Sequence, residues 1–296
     1  MKKKLIILMT LVLLIGCSKS SDGVLNINEG DNDLILNRDN YPSIDGSTAN
    51  IPLAEHLARH FLDLSDGEIS LLTDFSTTDI AYINLAEQRC DLVLAYEIAP
   101  ETLQQLGDSA DFDYYEIGLD ALVFLVNSTN TVTTLSPQQI IDIYSAKISN
   151  WKDVGGEDME IKAFQRSSQS GSQTLMEKLV MKETELMPRP EMTIATMSGL
   201  INVIEDYVNF SDALGYSVYY YVTNMYQSEG VSLLAVDGVY PTPDTIALKT
   251  YPFINPFYAV VRHQEAKDSP ARLLALWLTT TSGKLLLEEA GYVAIK

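Results

Sequence analysis

A chain of 296 residues, 46% of them hydrophobic, is long enough for two domains with cores of their own. Its 40 acidic and 20 basic side chains leave a formal charge of −20, so it lacks the cationic footprint that nucleic acid demands. Small anions stay open as ligands: salt screens surface charge over about 8 Å, and a buried ion answers to the donors around it.

Lys2, Lys3 and Lys4 precede an apolar run at 5–15 that is too short to span a bilayer comfortably. This order marks residues 1–16 as a signal peptide. It ends in Leu14-Ile15-Gly16-Cys17, which resembles the bacterial lipobox, with Cys17 as the lipidated residue. The competing reading is an ordinary secretory signal with a chance cysteine. Two or more acyl chains hold a protein to a membrane far better than one. Residues 17–33 are rich in Ser, Asp, Asn and Gly and read as a flexible tether. With Cys17 lipidated, Cys90 has no disulfide partner, and its place before Leu92-Val93-Leu94 makes it a buried core thiol.

Beyond the tether, strand and helix signals alternate. Leu53, Leu57 and Phe61 recur at helical spacing with Pro52 in the first turn, so 52–62 is a predicted helix. A second helix is expected over 78–88 and a strand over 91–96. The apolar run 121–126 fits a strand buried on both faces. Ser136-Pro137 opens a helix running to Tyr144, and Asn150-Trp151 with Gly155-Gly156 marks a turn. A short strand at 161–164 leads to a helix over 173–181. A helix at 199–207, strands at 215–222 and 258–261, and helices at 270–278 and 283–290 complete the body. Such alternation predicts an α/β fold with mainly parallel pairing.

Three helix starts carry clusters of small hydroxyl residues. Gly46-Ser47-Thr48-Ala49-Asn50 precedes the first helix, and Ser76-Thr77-Thr78 the second. The third, Arg166-Ser167-Ser168-Gln169-Ser170-Gly171-Ser172, adds an arginine. A helix start exposes amides without intrahelical partners and carries about half a positive charge. Hydroxyls add donors, glycine admits close backbone approach, and a guanidinium fork suits a tetrahedral oxyanion. Ordinary capping explains any one cluster. Three of them, one with an arginine, point to a shared anion.

These stretches resemble the PstS-like phosphate-binding lipoproteins of bacterial ABC importers over nearly the whole mature chain. The match runs through Asp45-Gly46-Ser47-Thr48, Leu135-Ser136-Pro137-Gln138-Gln139-Ile140, Ile143-Tyr144-Ser145, Asn150-Trp151-Lys152 and Val154-Gly155-Gly156. It also includes Arg166 followed by Ser170-Gly171-Ser172, where the family has threonine last. The resemblance implies a two-lobed α/β fold of the type II periplasmic-binding-protein kind, with lobe 1 at 34–122 plus 252–296 and lobe 2 at 123–251. It further implies phosphate held by Ser47 and Thr48, with Asn50 as helper; by Ser76 or Thr77; and by Arg166, Ser170, Gly171 and Ser172. The family places an acid in the first lobe to accept a phosphate proton. Here that motif is altered to Ala95-Tyr96-Glu97-Ile98-Ala99-Pro100, making Glu97 the expected acceptor and Asp91 the fallback. Phosphate keeps a proton near neutral pH and sulfate does not, so a buried carboxylate would reject sulfate through opposed charges and an unpaired lone pair. Roughly ten donors, each worth about 1.5–3 kcal/mol gross, make micromolar affinity or tighter reasonable. Hinge closure would trap the ion for delivery to a permease, from a monomer anchored on the extracytoplasmic face of the cell membrane.

Other chemistries have less support. His56 and His60 lie four apart, but Leu57 stands where a zinc protease needs glutamate, so no metal or cofactor is expected. Ser170 is outside a Gly-x-Ser-x-Gly elbow, and an enzyme is not expected. Tyr219-Tyr220-Tyr221 reads as strand with alternating faces. Trp151 and Trp277 read as packing residues. The alternatives are another oxyanion or a phosphorylated small molecule in the same fold, and, from other classes, a signalling or adhesive lipoprotein or an enzyme acting on phosphoesters.

Overall fold

The computed structural model describes residues 34–168, 170–206 and 212–295. The signal peptide, Cys17, the tether and Gln169 lie outside the described residues. The chain opens with β1 (Ile44–Gly46), α1 (Ile51–Phe61), α2 (Asp66–Leu72), α3 (Thr78–Ala86), β2 (Leu92–Ala95) and α4 (Pro100–Leu106). The long strand β3 (Phe112–Asn127) follows. Next come β4 (Thr134–Leu135), α5 (Pro137–Tyr144), β5 (Lys162–Ala163), β6 (Gln165–Arg166), α6 (Gly171–Leu175), β7 (Thr193–Ile194), α7 (Met197–Asp206) and β8 (Ala213–Val218). The chain ends with β9 (Val231–Leu233), β10 (Ala235–Val236), α8 (Pro243–Ala247), β11 (Ile254–Arg262), α9 (Pro270–Trp277), α10 (Thr281–Glu289) and β12 (Val293–Ala294).

Strand β3 organises the whole. Its 16 residues span about 50 Å, and it changes partners along its length. Phe112 to Ala121 pair with β11, and Gly118 and Leu119 also with β12. From Leu122 onward the partners are β8 and β9. Residues 117–127 are buried without a break, as expected for an apolar strand covered on both faces. Burial differs between the helices: α6 is buried throughout, α4 has no buried residue, and α1 buries one side. In α1, Leu53 and Leu57 are fully covered, each contributing about 1.5–3 kcal/mol of transfer free energy. Trp151 and Trp277 are buried packing residues. Cys90 is buried and free, and desolvation pushes its thiol up to about 12, so it stays protonated.

Two expectations are corrected. Pairing is not mainly parallel: β1–β2, β4–β10, β5–β8 and β6–β7 are parallel, but β11 runs antiparallel to both β2 and β3, and β3 antiparallel to β8, β9 and β12. The cause is the return of the chain, which comes back alongside β3 as β11. The tyrosine run is not strand either. β8 ends at Val218, and the chain then turns helical. The Tyr220 amide donates to the Asp120 carboxylate in place of a strand carbonyl, and the Tyr220 ring stacks on Tyr292 at 3.6 Å. The helix expected at 173–181 is present, with its second half, Met176–Met181, wound as a π-helix.

Candidate functional site

The first hydroxyl cluster is set by a backbone crossing. A Cβ on Gly46 would sit 2.1 Å from the Leu94 carbonyl oxygen, so only glycine fits there. The Ser47 amide donates to that same carbonyl at 2.9 Å, and Asn50 Nδ2 donates to it at 2.9 Å. Asn50 thus pins the turn that presents Ser47 and Thr48. Asp45 ties this loop to the second: its carboxylate accepts from the Ser76 amide and hydroxyl, each at 2.8 Å, and from Asn84 Nδ2 at 2.7 Å. With Ser76 committed to Asp45, the hydroxyls of Thr77 and Thr78 remain, and both Oγ1 atoms are buried without a partner.

Arg166 comes from β6 and is 5% exposed. Its Nε donates to the Ile194 carbonyl at 3.0 Å and its Nη2 to the Ala195 carbonyl at 3.1 Å, which fixes the fork. Burial draws the guanidinium pKa down from its ordinary value, yet arginine stays charged at any physiological pH. Its amide donates to Tyr216 Oη and Gln173 Oε1, locking the strand end to α6. Ser170, Gly171 and Ser172 form the start of α6. A Cβ on Gly171 would lie 2.6 Å from Thr78 Oγ1, so a glycine lets the starts of α6 and α3 touch.

These segments enclose a cavity of about 40 Å³, lined by Ser47, Thr48, Thr77, Thr78, Tyr96, Arg166, Ser167, Ser170, Gly171, Ser172 and Ala195. A water needs roughly 10–15 Å³ of such space, so there is room for one small polyatomic ion. The capping explanation fails locally. Ser47, Thr77 and Ser170 stand at helix N-caps and make no side-chain cap bond. Each unsatisfied buried hydroxyl costs about 1–3 kcal/mol, which a bound acceptor relieves.

The structure thus gathers seven of the ten sequence-predicted ligand residues: Ser47, Thr48, Thr77, Arg166, Ser170, Gly171 and Ser172. Three do not line the cavity. Asn50 and Ser76 support it from behind. Glu97 lies elsewhere: it pairs with Lys178, accepts from the Tyr258 hydroxyl at 3.5 Å, and lines a separate cleft of about 770 Å³ with Glu101, Glu177 and Lys182. Just past the end of β2, Tyr96 lines the cavity and the next residue, Glu97, lines the other cleft. The fallback, Asp91, accepts from the Ser43 amide and hydroxyl and is also remote. Among the described residues no carboxylate lines the cavity. Sequence reasoning missed Tyr96 and Ser167, and Ala195 on a distant segment. It also missed Asp120 behind Tyr96, which burial pushes up to about 6. His56 Nδ1 contacts the Pro52 carbonyl and His60 packs on Phe61 and Trp277, so the pair has local roles.

Fold and cavity together define a two-lobed α/β binding protein. The family model of the PBP superfamily domain matches residues 42–280, and the chain belongs to that superfamily. It is 24% identical over 300 residues to the phosphate-binding protein PstS of Borreliella burgdorferi, covering 99% of both chains. It is 27% identical over 266 residues to the phosphate-binding protein PstS of Staphylococcus aureus strain USA300, covering 84% of this chain and 77% of the relative. A solved putative phosphate ABC transporter substrate-binding protein with bound phosphate, from Clostridium perfringens, superposes with a TM-score of 0.67 at 24% identity, over 87% of this chain and 100% of that one. An ABC-type phosphate transport receptor from Vibrio cholerae gives 0.62 at 23% identity, over 84% and 98%. These two likenesses establish the type II fold.

Proposed function

We propose that the chain captures inorganic phosphate outside the cytoplasm and hands it to the membrane permease of an ABC importer. One observation carries the reading: a buried guanidinium and two partnerless threonine hydroxyls share a 40 Å³ cavity. The names of the curated relatives support phosphate as the ion. Lobe 1 is taken as 34–122 plus 252–296 and lobe 2 as 123–251, divided where β3 exchanges β11 for β8. Ser47, Thr48, Thr77 and Thr78 then contact the ion from lobe 1, and Arg166, Ser170, Gly171 and Ser172 from lobe 2. Contacts from both sides are complete only when the lobes are closed, so binding shifts the population toward closure. A lipid on Cys17 would hold the protein, acting as a monomer, at the membrane.

Titration calorimetry with phosphate tests the proposal. Micromolar affinity or tighter is expected, and absence of binding refutes it. A second reading, sulfate in the same cavity, is favoured by the placement of Glu97 and Asp91 outside it. Competition at fixed pH separates the two: sulfate displacing phosphate at equal concentration makes the site a general oxyanion trap.

A further inference from the structure

Asp120 is a buried carboxylate that the capture described above does not use. It is 3% exposed on β3, beside the point where Ala121 pairs with Ile254 of β11 and Leu122 with Val218 of β8. Its Oδ2 accepts from the Tyr96 hydroxyl at 2.7 Å. Its Oδ1 accepts from the amide of Ala121 at 2.7 Å and from that of Tyr220 at 3.2 Å. Tyr96 is 1% exposed and lines the anion cavity. One phenol therefore stands between Asp120 and the ion, and the same carboxylate holds the chain just past β8. The titratable groups that face it are Tyr96 after β2, Tyr219 and Tyr220 after β8, and Tyr292 before β12. β11 sets Asn255 opposite it in register. Burial raises all four tyrosines above their ordinary value, so they stay neutral and bring no positive charge to the carboxylate.

We infer that Asp120 couples anion capture to proton uptake, acting through Tyr96 as a positioning and charge-sensing residue behind the cavity wall. This rests on the phosphate reading. A carboxylate and an anion on two sides of one ring repel in a site poor in water, and a proton on the carboxylate removes the repulsion. The proton comes from solvent and rests on a carboxylate oxygen. Desolvation has already pushed this carboxyl up to about 6, against the hydrogen bonds from Tyr96 and the amides. A bound dianion raises it further, toward neutral pH. By linkage, the anion strengthens proton binding and the proton strengthens anion binding by the same factor. The folding linkage has a matching sign. Because the folded-state value lies above the ordinary 3.8, the stability from this group is present in acid and lost as pH rises through about 6.

The test is calorimetry on the full chain with inorganic phosphate between about pH 5 and 8, the span over which a carboxyl raised toward neutrality titrates. At each pH the Kd of the wild type is divided by that of Asp120→Asn, which cancels the titration of phosphate itself. The ratio is expected to fall about tenfold from the alkaline to the acid end, one unit of coupled shift. In two buffers of unlike ionisation heat, the wild type is expected to take up more protons than the variant. Tyr96→Phe removes a bond that favours the ionised carboxylate and moves the inflection to higher pH. A ratio that ignores pH, or equal proton uptake in both proteins, overturns the inference. If Asp120→Asn does not fold, the wild-type Kd is divided instead by that of Tyr96→Phe, which again cancels the titration of phosphate, and a ratio that ignores pH overturns the inference. A wild-type chain that binds no phosphate at any pH instead refutes the proposed function.

Discussion

Helices α5 and α6 both begin at a serine in extended backbone, and the two serines do different things. Ser136 accepts from the Gln139 amide at 3.2 Å and closes a capping box. Ser170 makes no cap bond, and its Oγ lies 3.0 Å from Ser172 Oγ at the cavity. The contrast extends further. Thr242, Ser269 and Thr280 accept from their own helix amides at α8, α9 and α10, whereas Ser47 and Thr77 do not. Residue type and backbone conformation are alike in both groups. The separating property is whether the hydroxyl is used up within its own helix. A helix start whose cap is withheld keeps its amides and hydroxyl for something else, and here three such starts face one cavity.

The contrast can be broken at several strengths. Arg166→Ala should have the largest effect, weakening phosphate binding at least tenfold, the loss of about 1.5–3 kcal/mol from a charge-assisted bond. Calorimetry with a melting curve checks that the fold survives. Gly171→Ala puts a methyl group 2.6 Å from Thr78 Oγ1, so affinity should fall by about tenfold, on the order of 1.4 kcal/mol. An unchanged Kd would show that the starts of α6 and α3 need not touch. Thr78→Val should weaken binding about fivefold and leave the ligand-free melting temperature level or higher, because an unsatisfied buried hydroxyl is gone. Ser136→Ala should do the reverse, costing about 1 kcal/mol of stability with phosphate affinity unchanged. If Thr78→Val and Ser136→Ala behave alike, the distinction between withheld and ordinary caps is void.

Much of this was legible in the sequence where one short stretch determines the outcome. α5 runs over Pro137–Tyr144 as expected, because Ser136, Pro137 and Gln139 carry its start between them. The full length of β3 was not legible. Only 121–126 is continuously apolar, and the Phe112–Glu116 part carries acids and half-exposed tyrosines that are held by β11. Seven cavity-lining residues were legible because hydroxyl, glycine and arginine at a helix start have a local meaning. Choosing Thr77 over Ser76 was not, since the choice is made by Asp45, 31 residues earlier than Ser76. Tyr96 escaped because a buried aromatic reads as core, and Asp120 because it stands directly before the apolar run 121–126. The contribution of Ala195 involves its backbone, accepting from the arginine fork, and a carbonyl leaves no trace in residue identity.

The contact between Gly171 and Thr78 leaves no gap for even a methyl group, so an ion cannot slip out between them while they touch. Leaving by that side then waits on backbone separation, a motion of microseconds to milliseconds. On that side the dwell time of a bound ion would become a gating time. On the proposed reading, a permease that prises these two helix starts apart would open that side of the cavity.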